Sequence, residues 1–137
     1  MKAHLALTTL VFALCSQAGA TAWAGLHATT STFGVHAGTS LLRVPLLGAL
    51  GVEGNAEKGW GSAPNRYALG VTLRDLNLPL TKVDAFATVG AEYRNRAALY
   101  AEGGLRGPLL GPAGWRTFVR GNTAGQFGAG LGLELRF

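Results

Sequence analysis

The sequence predicts an all-β protein, an antiparallel up-and-down transmembrane β-barrel of about eight strands spanning residues 25–137, behind a cleaved signal peptide at residues 1–24. Three observations carry this expectation. The amino terminus is apolar but too short to cross a bilayer. Most of the chain beyond it alternates apolar and polar side chains with period two, and all five prolines fall between the alternating segments. No segment after residue 24 shows a sustained 3.6-residue period or an apolar run long enough to span as a helix.

The leader is read from its parts. Lys2 supplies the positive end and residues 5–14 supply an apolar core of about ten residues, against the roughly 20 that a spanning helix needs. Two small-x-small cleavage sites come next, Ala18-Gly19-Ala20 and Ala22-Trp23-Ala24. Cys15 is preceded by Leu14 where a lipobox requires a small residue, so acylation is not expected. The remaining chain has no cysteine, and an exported domain must then hold together without disulfides. The net charge is +5, or +4 once Lys2 is removed. Its cations are scattered singly, which argues against nucleic acid as a partner.

Seven strands are legible in order. Phe33, Val35 and Ala37 alternate with Gly34, His36 and Gly38; Leu50, Val52 and Ala56 oppose Gly51, Glu53 and Asn55. In "RYALGVTLR", Tyr67, Leu69, Val71 and Leu73 share a face. In "KVDAFATVGAEYR" the apolar face runs from Val83 to Tyr93, and in "LYAEGGLR" Leu99, Ala101, Gly103 and Leu105 face away from Glu102 and Arg106. Trp115, Thr117 and Val119 oppose Arg116, Phe118 and Arg120, and residues 127–137, "FGAGLGLELRF", end the chain with the clearest alternation. An eighth strand has two candidate sources, residues 26–31 or a strand hidden in "SLLRVPLL"; otherwise several chains share one barrel, so oligomerisation is open.

Periodicity does not say which face is inside, but side-chain size does. Gly128, Gly130 and Gly132 suit the lumen of a narrow barrel, whereas Leu131, Leu133, Leu135 and Phe137 are too bulky for it and belong against lipid. Eleven residues at about 3.3 Å each, tilted by about 45°, rise about 25 Å, the height of a membrane barrel's apolar band. The meander then places Tyr67, Tyr93 and Phe127 at the outer interface and Trp115 and Phe137 at the inner one, where amphipathic rings collect.

The terminal segment resembles the targeting strand of bacterial outer-membrane β-barrels, with Phe137 after Leu135, Leu133 and Leu131 at alternate positions. The resemblance implies a place in the bacterial outer membrane among its lipids, recognition by the barrel-assembly machinery, and a closing role for this strand.

Of the functional candidates, Glu53, Glu92, Glu102 and Glu134 are expected to pair with Arg66, Arg94, Arg106, Arg120 and Arg136 inside the barrel, either plugging it or lining a small pore. Arg74, Arg106, Arg116, Arg136 and Lys82 are expected at the periplasmic rim, against lipid phosphates, a periplasmic anion or solvent. His27 and His36, with Ser31 or Ser40, evoke the Ser-His pair of lipid hydrolases, but no nucleophile-elbow motif accompanies them. With no HxxxH, no CxxC after the leader and no P-loop, no metal, cofactor or catalytic residue is assigned. The expected role is structural or adhesive; the competing class is a soluble, lipocalin-like periplasmic barrel around an apolar ligand.

Overall fold

The computed structural model describes residues 21–137; the leader, except for its last four residues, lies outside them. Eight strands succeed one another: β1 (Ala22–Thr29), β2 (Thr32–Val44), β3 (Gly48–Gly59), β4 (Arg66–Asn77), β5 (Asp84–Arg94), β6 (Arg96–Leu110), β7 (Ala113–Asn122) and β8 (Phe127–Arg136). Each pairs antiparallel with the next, and β8 returns to β1, so one chain closes the barrel. Closure leaves no strand edge unpaired, the condition for β-structure in hydrocarbon. Backbone bonds between Ala22 and Phe137 seal the seam, at 2.8 Å and 2.9 Å.

The missing strand is β1, while "SLLRVPLL" completes β2 and its turn. Two boundaries differ from the sequence expectation. The barrel begins at Ala22 rather than Gly25, so Trp23 and Ala24 are paired residues of β1, opposite Arg136 and Leu135. Pro108 lies within β6 rather than between strands; the register shift between Pro108 and Leu110 is where a residue without an N–H is tolerated.

The connections divide by end. At the hairpin end lie residues 30–31, 60–65, 95 and 123–126; at the terminal end, shared with both chain termini, lie 45–47, 78–83 and 111–112. Asn95 alone joins β5 to β6, with φ of 62°, a left-handed backbone that asparagine tolerates better than most residues.

The faces are as expected. Leu131 is 69% exposed on the outside and Glu134 is 2% exposed in the lumen. Glycine is required on the inner face of β8: a Cβ on Gly130 would lie 2.5 Å from the Phe118 ring, and one on Gly132 2.3 Å from the Leu26 carbonyl. Tyr67 and Tyr93 face each other across β4 and β5 near the hairpin end, joined there by Phe127 and by the Phe33–Trp60 pair, whose rings are 4.4 Å apart. Trp115 and Phe137 belong to the terminal end, and the Trp115 indole covers Gly107.

Candidate functional site

The lumen is filled by ions. Glu53 and Glu57 on β3, Glu92 on β5, Glu102 on β6 and Glu134 on β8 meet Arg66 and Arg74 on β4, Arg106 on β6, and Arg116 and Arg120 on β7, and all ten side chains are buried. In hydrocarbon an isolated charge is prohibitive, so the sequence places each inward, where an opposite charge can reach it.

Three of these pairs span the diameter. In a ring of eight, β3 stands opposite β7 and β4 opposite β8. Arg116 nevertheless reaches Glu53 at 3.1 Å, Arg120 reaches Glu57 at 2.6 Å, and Arg74 contacts Glu134 directly. These contacting side chains bridge the lumen from one wall to the other. Arg116 is the hub, touching also Glu102 at 2.6 Å and Glu134 at 3.5 Å. In the hairpin half Arg66 joins Glu57, at 3.1 Å, to Glu92. Toward the terminal end Arg106 joins Glu134, at 3.1 Å, to Asp84, at 3.5 Å.

Aromatic side chains fill the gaps between ions. Arg74 stacks 3.9 Å above the Trp23 ring, whose Nε1–H donates to Glu53 at 2.7 Å; Arg116 lies 4.4 Å over Phe86 and Arg120 4.8 Å over Phe118. Such stacking is strongest where the cation is desolvated. At the hairpin mouth a cavity of about 20 Å³, bounded by Thr29, Glu92, Arg94, Arg120 and Asn122, holds about one water-sized sphere.

Several expected placements change. Arg74 and Arg116, expected at the rim, are buried in the network, because in so narrow a lumen a long side chain near a strand end meets a carboxylate sooner than solvent. Lys82 is exposed at the terminal rim as expected. Arg136, expected both with the lumen glutamates and at the rim, is at the rim, paired with Asp75 at 2.5 Å at the terminal mouth, and Arg94 lines the hairpin mouth, its Nε without a partner. Glu57 escapes the sequence reading although it continues the face of Glu53 and Asn55, because the alternation is legible only as far as Ala56. Trp23 escapes it because it falls within the expected leader.

His27 and His36 come together, but not with serine. Ser40 Oγ donates to the Thr21 carbonyl and the Ser31 N–H to Thr29 Oγ1, while the histidine rings engage one another and two carboxylates. His27 Nε2 meets Glu57 at 2.6 Å, His36 Nε2 meets Glu134 at 3.2 Å, and the two Nδ1 atoms are 3.0 Å apart. Arginines hold the same two carboxylates, Arg66 and Arg120 at Glu57 and Arg74 and Arg106 at Glu134, so the histidine pair ties the two halves of the ionic network together.

Among solved structures, the chain is similar to the crystal structure of the N-terminal β-barrel domain of Pseudomonas aeruginosa OprF, at 12% identity and a TM-score of 0.65, covering 86% of this chain and 96% of that one. It is also similar to a structure from the de novo design of transmembrane β-barrels, at 13% identity and TM-score 0.60, with 86% and 94% covered. The solution NMR structure of the designed TMB2.3 gives 19% identity and TM-score 0.57, with 86% and 93% covered. No family model matches the chain, and no curated protein does. At such identities the likeness shows the fold: the chain is an eight-stranded β-barrel of the outer-membrane type, charged within and apolar without.

Proposed function

We propose that this chain is an integral protein of the bacterial outer membrane, a compact structural element of the envelope whose lumen is held shut by its own charges. The observation that carries this reading is the set of ion pairs across the barrel diameter, Arg116–Glu53 and Arg120–Glu57 above all. A structural role is favoured over an adhesive one by the hairpin end, whose connections number from one to six residues and leave little surface for a partner. The exposed leucines of β8 and the terminal Phe137 support insertion in lipid and recognition by the assembly machinery, with β8 pairing to β1 as the last step of closure. A soluble barrel around an apolar ligand needs the opposite arrangement of faces.

In planar bilayers the purified protein is expected to give no stable conductance steps. Regular single-channel openings would refute the closed lumen. The membrane reading is tested by fractionation: heat-modifiable migration and partition into detergent are expected, and recovery as a soluble periplasmic protein overturns it.

The leader is proposed to be cut after Ala20. That site leaves β1 whole, whereas cutting after Ala24 would remove the Trp23 ring that caps Arg74 and bonds Glu53. Amino-terminal sequencing of the membrane-extracted protein should read Thr21 first; a start at Gly25 overturns this assignment.

A further inference from the structure

The two ends of the barrel carry turns of different chemistry. At the hairpin end the connections read "TS", "WGSAPN", "N" and "TAGQ", largely polar or small. At the terminal end they read "PLL", "LPLTKV" and, with the last two residues of β6, "LLGP". Leucine is therefore present at all three.

These leucines do not pack against the protein. Leu46 and Leu80 are fully exposed, and Leu110 is 84% exposed. Leu46 and Leu80 also hold φ of 67° and 66°, the left-handed region in which glycine or asparagine would turn the chain at less cost. In water this combination of strain and bare apolar surface is unfavourable twice over.

The lipid-facing surface runs into these turns without a break. The irregularity of β2 between Ser40 and Leu42 leaves both Leu41 and Leu42 exposed, and Leu109 and Leu110 end β6, the longest strand at 15 residues. At about 3.3 Å per residue and about 45° tilt such a strand rises about 35 Å, more than the roughly 25 Å apolar band. Arg43, with its side chain 67% exposed, and Lys82 stand among these leucines; of the acids at this end, Asp75 pairs with Arg43 and Arg136 and Asp84 with Arg106.

We propose that the three leucine-bearing turns form a lipid-docking surface: they lie within the interfacial layer of the adjoining phospholipid leaflet, with Arg43 and Lys82 against lipid phosphates, so that this end of the barrel does not emerge into water. The inference rests on the membrane reading above. Phospholipid, rather than a protein, is the occupant because the turns adjoin the hydrocarbon band, are too short to project beyond the headgroups, and carry cations beside their apolar tips, the pattern of interfacial anchors.

The test is spin-label depth in vesicles of phosphatidylethanolamine and phosphatidylglycerol. Cys15, the sole cysteine, is replaced by serine where the leader is retained, and single labels are placed through Leu46→Cys, Leu80→Cys and Leu110→Cys, with Ser62→Cys and Thr123→Cys at the hairpin end and Leu131→Cys at mid-barrel. The expected result is that collisions with oxygen exceed those with a water-soluble nickel chelate severalfold at the three turn sites and at Leu131, and that the order reverses at the hairpin end. Turn labels as open to the chelate as the hairpin labels, with the Leu131 label in lipid, overturn this proposal and leave the membrane reading standing. A Leu131 label open to the chelate overturns both.

Discussion

Arg116→Met is expected to lower the unfolding free energy by about 3–5 kcal/mol, the cost of breaking a buried ionic group by removing one partner. The guanidinium touches Glu53, Glu102 and Glu134 and covers the Phe86 ring, so its loss leaves carboxylates from three strands short of a donor. Methionine keeps most of the side-chain volume, which separates the electrostatic loss from a packing loss. The measurement is urea unfolding of the protein in lipid vesicles, followed by the fluorescence of Trp23, Trp60 and Trp115. A loss under about 1 kcal/mol would mean that these contacts contribute no more than surface pairs do. The double variant with Glu53→Gln should cost less than the sum of the two singles, because groups in one network couple by about 0.5–3 kcal/mol. Arg74 and Trp23, which also hold Glu53, set the upper limit on that relief.

Leu131→Arg tests the other face. The residue lies midway along β8, opposite Ala28 on one side and Thr117 on the other, with its side chain outward. An arginine on the lipid face near the midplane costs about 2–4 kcal/mol, so a loss of that size is expected in vesicles by the same unfolding measurement. If the surface met water instead, the substitution would stay within about 0.5 kcal/mol, as exposed changes do. The two variants thus probe opposite faces of one sheet, one by removing a charge from the lumen and the other by adding one to the hydrocarbon side.

Much of the architecture was legible in the residues because a strand writes its environment with period two. Leu131, Leu133 and Leu135 against Gly130, Gly132 and Glu134 are enough to assign the faces of β8, and the size of the leucines decides which of them meets lipid. The charges of the lumen were legible in part: Glu53, Glu92, Glu102, Glu134, Arg66, Arg106 and Arg120 were expected inside, whereas Glu57 was missed and Arg74 and Arg116 were expected at the rim. What escaped was local detail where the pattern weakens. The beginning of β1 was obscured by the cleavage motif, and Pro108 by a bulge that only the pairing reveals.

By itself the sequence determined the all-β class, the alternation, most of the inward charges and the outward leucines, because each arises from the chemistry of neighbours along one strand. Tertiary structure alone decided the partners. Glu53 finds Arg116 63 residues away, and His36 finds Glu134 98 residues away. Which inward residues meet depends on the number of strands, their stagger and the width of the closed barrel, properties of the ring that no single strand carries.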